Sequence, residues 1–319
     1  MNSVSEHSHD HHHGHHHDHH HDVSFEAVNT AFIIAVLSNL LFTIFEAIYG
    51  FLANSVSLLG DAGHNLSDVL GLLLAWGAAY LASKKANSFF SYGYRRTTIL
   101  AAIINALVLV FTSALIAFKS IEKLIAPEPV QEEAIIIVAA IGILVNAGAA
   151  LLFMKGSKQD LNLRGAFLHL AYDALISAAV VVAGVLIMFT GALWIDPLAG
   201  LLIVVVILLG TWGLLRDSTN LLLDAVPQGI DLEEVRSFLL GLGGVSAVHD
   251  LHIWGMSTHE NGLTAHLVMP ENSLWEEQGS YAAIARSLEQ RFQIHHVTLQ
   301  VEKDHDCPNE DCEMDSQTG

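Results

Sequence analysis

The chain has 319 residues, 52% of them hydrophobic and only 15% charged, with a formal net charge of −19. So apolar a composition excludes an ordinary soluble protein of this size, and the acidity excludes a nucleic-acid partner while suiting cations. The only two cysteines, Cys307 and Cys312, stand in the last fifteen residues, which excludes a disulfide framework and fits a reducing, cytoplasmic environment.

Residues 7–22, HSHDHHHGHHHDHHHD, hold eleven of the twenty histidines. An expression tag is normally uninterrupted, whereas Asp10, Gly14, Asp18 and Asp22 break this run. The expected unit is a disordered cytoplasmic tail over residues 1–27 that binds zinc, nickel or copper weakly and with little discrimination. The apolar run that follows is too long for a signal peptide, and its flank is acidic and His-rich.

Six apolar segments come next, at about 30–53, 56–82, 97–120, 133–155, 162–190 and 193–216, each near the roughly 20 residues a bilayer-spanning helix requires. An even number places both chain ends on one side. Lys84, Lys85, Arg95 and Arg96 follow the second segment, and Lys155, Lys158 and Arg164 separate the fourth from the fifth. The opposite loops offer only Lys119 and Lys123 beside several acids. Both termini are therefore expected in the cytoplasm. The connections at 53–55 and 190–193 are short enough to make their helices hairpin neighbours. The transmembrane unit runs over residues 28–226.

Inside it, His64 and Asp68 stand four apart in the second segment, and His169 and Asp173 stand four apart in the fifth. That spacing puts each pair on one helical face, one turn apart, and no other apolar segment repeats H-x-x-x-D. An Asp at the middle of a membrane helix costs about 2.5–3.5 kcal/mol on insertion scales, so it asks for a partner. Two imidazoles and two carboxylates form a tetrahedral set suited to a borderline divalent ion such as zinc. The two segments lie three helices apart, which hints at an internal two-fold relation with the site at its interface. Asn39, Asn54, Asn65, Asn105 and Asn146 read as interhelical hydrogen-bonding or helix-end residues. Asp196 stands with them, whereas Glu46 and Asp61 are harder to absorb in this way. Asp61 shares the His64 face at i,i+3, as a support for the ligands or part of a proton path.

After Asp224-Ala225-Val226-Pro227 the composition becomes that of a small soluble domain, expected over residues 227–304. Asp231 is a good N-cap for the amphipathic run LEEVRSFLLGL. Two strand-like runs follow, VSAVHDLHIWGM and NGLTAHLVMP, with a turn around Glu260-Asn261-Gly262. A helix from Ser273 to Phe292 and a strand HHVTLQVE complete an αββαβ order, with the helices on one face of a mixed three-stranded sheet. Residues 305–319 form a tail in which His305, Cys307 and Cys312 either complete a zinc site or stay loose.

The pieces SVSLLGDAGHNLSD (55–68), FSYGYRRTTILAA (90–102), LHLAYDALIS (168–177), LLDAVP (222–227) and HDLHIWGMS (249–257) resemble the cation diffusion facilitators, proton-coupled exporters of zinc and related ions. The resemblance covers almost everything from Phe32 to Glu302. It implies a homodimer in the lipid bilayer, a six-helix bundle, and a ferredoxin-like, metallochaperone-like cytoplasmic domain. It also implies one transport site per protomer, made of His64, Asp68, His169 and Asp173, with zinc selectivity where His opens the second-helix motif. In the cytoplasmic domain, His249, His266, His295 and Glu302 fall at or near positions where relatives bind structural or regulatory zinc across the dimer, whereas His252 and His259 fit less well. Arg96 and Asp224 correspond to a charge pair at the dimer hinge. Two departures stand out. Phe90-Ser91-Tyr92-Gly93-Tyr94 lacks the imidazoles that some members carry in that loop, and the His-rich loop of some relatives between helices four and five is missing.

Zinc and protons are thus the expected co-substrates, with no catalytic cofactor and no enzymatic step, at the inner (cell) membrane of a prokaryote. Two rivals are a membrane metal sensor that moves no ion and a membrane metallohydrolase. The second would need a general base and an open coordination position, and no H-E-x-x-H motif is present.

Overall fold

The computed structural model describes residues 30–154, 161–269 and 281–303. The His-rich run at 7–22, the start of the helix expected from Ser273, and His305, Cys307 and Cys312 lie outside the described residues. Six helices come first: α1 (Thr30–Leu52), α2 (Val56–Ala82), α3 (Thr97–Ile125), α4 (Glu132–Met154), α5 (Leu161–Thr190) and α6 (Ile195–Leu222). Five are long and apolar enough to cross a membrane, and α1 adds the apolar stretch Val36–Leu52. The protein is a multi-pass membrane bundle. α3 and α6 each run about a turn and a half beyond the apolar segments seen in the sequence, because their last turns are polar helix outside the hydrophobic stretch. Lys119 pairs there with Glu122 at 2.7 Å.

α2 is the central helix of the bundle. It packs on α1, α3 and α6 and meets α5 over a short stretch, while α4 packs along α5 and α3 along α6. A tight core of Phe42, Leu58, Ile135, Val138, Val180 and Ile203 fills one end of the bundle. At Gly142 an added Cβ would fall 2.8 Å from the Phe42 ring, so that position has room only for glycine between α4 and α1.

The turn from α1 to α2 is pinned from both sides. Asn54 takes a left-handed φ of 53°, which its short amide side chain tolerates, and Lys123 at the end of α3 donates to its backbone and side-chain oxygens. Ser55 then caps α2, accepting from Leu58 N. The stronger tie comes from α6. Asp196 is fully buried and accepts from Ser55 Oγ (2.6 Å), Ser57 Oγ (2.6 Å), Val56 N (2.9 Å) and Ser57 N (3.2 Å). One carboxylate therefore satisfies the otherwise unpaired amides at the start of α2 and faces the positive end of that helix.

The small domain holds α7 (Leu232–Leu240), β1 (Ala247–Gly255), β2 (Asn261–Val268), α8 (Tyr281–Phe292) and β3 (Ile294–Glu302). Asp231 caps α7 as expected, accepting from Glu233 N and Glu234 N. The sheet order is β1-β2-β3, antiparallel then parallel, and both helices pack their apolar residues, Val235, Leu239, Ile284 and Leu288, into one core with the sheet. The turn between β1 and β2 lies earlier than the Asn-Gly pair suggests. Ser257 Oγ accepts from His259 N and Glu260 N, which closes the turn before Asn261, so Asn261 and Gly262 are strand residues. Gly262 is required there by contact, since a Cβ would fall 2.8 Å from the Trp254 ring.

That turn docks on the membrane bundle. Arg95 Nη1 meets Glu260 Oε2 at 2.6 Å, Thr258 N donates to Thr98 Oγ1, and the rings of Tyr92 and His296 lie edge-on at 5.4 Å. Beside them Arg96 pairs with Asp224 at 2.5 Å, with both side chains half exposed. Such a pair is worth about 0–1 kcal/mol, so it sets geometry more than stability.

The Asp196 clamp is open to test. Asp196→Ala strands two hydroxyls and two amides in a dry interior, and the protein should lose about 3 kcal/mol or more. A lowered thermal midpoint in detergent would report the loss, and an unchanged midpoint would show that the clamp carries no weight.

Candidate metal centres

The close stretch between α2 and α5 brings the two H-x-x-x-D faces together. His64 Nδ1 lies 3.6 Å from Asp68 Oδ2 and His64 Nε2 lies 3.5 Å from Asp173 Oδ1. On the other side His169 Nε2 stands 3.5 Å from both Asp68 Oδ2 and Asp173 Oδ2. These separations are too long for good hydrogen bonds. Ligand atoms about 2.0–2.1 Å from a tetrahedral zinc stand about 3.4 Å from one another, which is close to the spacing of His169 Nε2 from the two carboxylates, whereas His64 meets Asp68 and Asp173 through different ring nitrogens. Asp173 is fully buried, yet neither of its oxygens has a hydrogen-bond partner. A buried carboxylate without donors is a group that a cation would satisfy.

The set is not symmetrical. Ligand atoms of His64, Asp68 and Asp173 lie within 4.8 Å of one another, whereas the His169 ring centroid is 6.3 Å from that of His64 and its side chain is 47% exposed. His169 therefore stands at the mouth of the site. A cavity of about 440 Å³ reaches Asp68 and His169 past Asn39, Leu72 and Asn105, and another of about 500 Å³ reaches His64 beside α6. Most of their lining lies in the helix halves nearest the small domain, and the core of Phe42, Leu58 and Ile203 packs on the other side of the site.

A second cluster lies in the small domain. His249 and His266 face each other across β1 and β2, and Glu302 stands beside Val268, two residues along the neighbouring strand pair. Glu302 Oε2 is 2.9 Å from His249 Nε2 and Glu302 Oε1 is 2.9 Å from His266 Nδ1. Burial alone would push the Glu302 carboxyl up. Hydrogen bonds from Gln300 and His249, with the charges of His266 and His249, outweigh it and hold the group below the usual carboxylate range. Its contribution to stability is thus present at neutral pH and is lost as pH falls through that lowered value. His295 does not join this cluster. It lies seven residues before Glu302 on one strand, about 23 Å away at the usual rise, and is exposed, so within one protomer the cluster is His249, His266 and Glu302.

The chain matches the family described as the cation efflux transmembrane domain over residues 32–223, and the cation efflux protein cytoplasmic domain over residues 227–304. The chain belongs to the cation efflux (cation diffusion facilitator) family. Among similar proteins, the cadmium, cobalt and zinc/H(+)-K(+) antiporter of Bacillus subtilis is 38% identical over 82% of this chain and 85% of its own. The metal cation efflux system protein CzcD of Cupriavidus metallidurans is 34% identical over 82% of each chain. The zinc transporter ZitB of Escherichia coli is 33% identical over 86% of this chain and 87% of its own. The solved metal-bound C-terminal domain of a CzcD transporter is 36% identical over 23% of this chain and 99% of that one, with a TM-score of 0.21.

For this cation efflux chain, sequence reasoning missed Asp250, whose Oδ2 lies 3.4 Å from His266 Nε2 and whose Oδ1 lies 2.9 Å from His252 Nε2. Alternation along a strand would put it on the face opposite His249. The register shift between His249 and His252, with Asp250 at a left-handed φ of 52°, turns it back. The doublet His249-Asp250 was the available signal. His252 partners Asp250 and stays outside the three-residue cluster, as does His259.

A titration would test the small-domain cluster. In full-length protein carrying Asp173→Asn and lacking residues 7–22, Glu302→Gln should weaken zinc binding by at least about tenfold, followed by competition with a chromophoric chelator. Equal affinity with and without the carboxylate would remove Glu302 from the set.

Proposed function

We propose that the protein exports zinc and related divalent cations from the cytoplasm in exchange for protons, by alternating access, as a homodimer in the cell membrane. The observation that carries this reading is the convergence of His64, Asp68, His169 and Asp173, each imidazole 3.5–3.6 Å from both carboxylates, in a site that cavities reach from the side of the small domain. The relatives named above as antiporters and zinc transporters support the same chemistry. Lys84, Lys85, Arg95 and Arg96 gather at the small-domain end, which favours that end, with both termini, on the cytoplasmic side.

Zinc binds neutral imidazole and ionised carboxylate, so metal and protons compete for the same four groups. Metal enters from the cytoplasm past His169. When the bundle opens at its other end the ion leaves, and protons taken up by the emptied ligands return inward. No bond is made or broken to the cargo, so no enzymatic step is needed. In the small domain His249, His266 and Glu302 fit a resident zinc, two borderline nitrogens and one oxygen within reach of one ion, which would tie the three strands together. The hinge role of Arg96 and Asp224, the tail over residues 1–27 as a weak metal collector, and the domain limits at 28–226 and 227–304 belong to the same reading.

Asp68→Asn and Asp173→Asn each keep size but remove a charge that balances the dication and a group that can carry a proton. Each should abolish pH-driven zinc uptake into inverted vesicles while the protein still reaches the membrane. Near-normal flux in either would take that carboxylate out of the ligand set. His64→Asp keeps four ligands but replaces a nitrogen by an oxygen, so manganese or cadmium flux should rise relative to zinc. Vesicle assays with each metal would show it, and an unchanged preference would mean that His64 does not set selectivity.

A further inference from the structure

Two more carboxyl groups are sealed inside the bundle, outside the ligand set. Glu46 on α1 and Asp61 on α2 are both 0% exposed, and Asn65 links the first to the helix that carries the second. Asn65, one turn along α2 from Asp61 and also fully buried, donates Nδ2 to Glu46 Oε2 at 3.3 Å. Ser177 on α5 donates to Asp61 Oδ2 at 2.8 Å. That leaves Glu46 Oε1, Asp61 Oδ1 and Asn65 Oδ1 buried with no hydrogen-bond partner.

Structural carboxylates in this bundle look different. Asp196 fills its oxygens with four donors, whereas Glu46 and Asp61 share two donors between them. Two like charges side by side in a dry interior cannot both stand without a positive charge between them. The ionisable groups acting on the pair are His64 on α2 and Asp173 on α5, both committed to the metal site. α4 carries its charged residues only in its first turn, as Glu132 and Glu133. No fixed cation is therefore supplied to the pair by these helices.

We propose that Glu46, Asp61, Asn65 and Ser177 form a binding site for one monovalent cation, separate from the metal ligands and on the closed side of them. Its donors are all oxygen, with no imidazole or thiolate, so it takes a hard ion, a proton or an alkali cation, and leaves zinc to the nitrogen-bearing site next to it. The position fits a counter-ion station. Glu46 lies in the later half of α1, Asp61 one turn before His64, and Ser177 one turn after Asp173, all toward the bundle end that is shut in this structure. A cation loaded when that end is open would be held there when it closes, and would leave as the dication arrives a turn away.

This inference rests on the transport reading, and the test separates the two. Full-length protein is reconstituted in liposomes, and two rates are measured: zinc-for-zinc exchange at equal pH, and net zinc flux driven by a gradient of pH, of potassium or of sodium, with choline as the control cation. Glu46→Gln keeps the size of the side chain and the bond from Asn65 but not the charge. It should hold exchange within about threefold while net flux falls by at least about tenfold and loses its dependence on the driving cation. A lost response to potassium identifies an alkali ion, and a lost response to pH alone identifies a proton. Glu46→Asp, which keeps the charge, should restore part of the coupling. Net flux in Glu46→Gln that keeps the wild-type cation dependence overturns the site, as does an equal loss of exchange and net flux in both variants. If wild type exchanges no zinc, the transport reading fails. The site is then judged alone by whether potassium or low pH raises the thermal midpoint of wild type but not of Glu46→Gln.

Discussion

A carboxylate inside hydrocarbon must be met by donors or by a cation, and the bundle is arranged around that demand. Its buried acids answer it in contrasting ways. Asp196 has its donors built in, two serine hydroxyls and two backbone amides, and so it locks the start of α2 to the start of α6. Asp173 is as deeply buried but has only imidazoles at 3.5 Å. A group left this incomplete costs stability in the empty protein, and the cost is recovered when a cation arrives. The difference in donors separates an acid that holds the fold from one left to be met by a cation.

The same economy explains the placing of the site. α2 carries His64 and Asp68 and is fixed at its far end by Asp196, Ser55 and Lys123, while its other end leads through Arg95 to Glu260 of the small domain. The ligands sit midway between these anchors. Close packing of Phe42, Leu58 and Ile203 shuts the anchored end, whereas the halves nearer the small domain leave cavities. β1 runs from His249 at the metal cluster to the turn that touches Arg95 and Thr98, so the cluster and the bundle are joined by one strand.

Much of this was legible in the sequence because two physical periods dominate it. Hydrophobic runs near the bilayer's length mark six helices, and the i,i+4 spacing of His64 with Asp68 and of His169 with Asp173 marks the facing sides of two of them. What escaped depends on contacts distant in the chain or on local backbone reversals. Asp196 is 140 residues from Val56, and nothing in either segment announces the clamp. Asp250 reaches His266 only because the strand bulges, and the Asn261-Gly262 pair looked like a turn until Ser257 closed one earlier.

His169 shows why four ligands suffice for a moving machine. Ligand atoms of His64, Asp68 and Asp173 are gathered, and His169, on a half-exposed ring, reaches both carboxylates but stands away from His64. On the transport reading proposed above, a metal that gathered both imidazoles onto one centre would bind an arrangement with α5 and α2 drawn together better than this one. A ligand shifts a conformational equilibrium only by its difference in affinity between two states, and a movable fourth ligand supplies that difference. Had all four been rigidly preset, zinc would bind tightly and move nothing. On that reading the exposure of His169 is the feature that would let binding energy become motion of one helix against another.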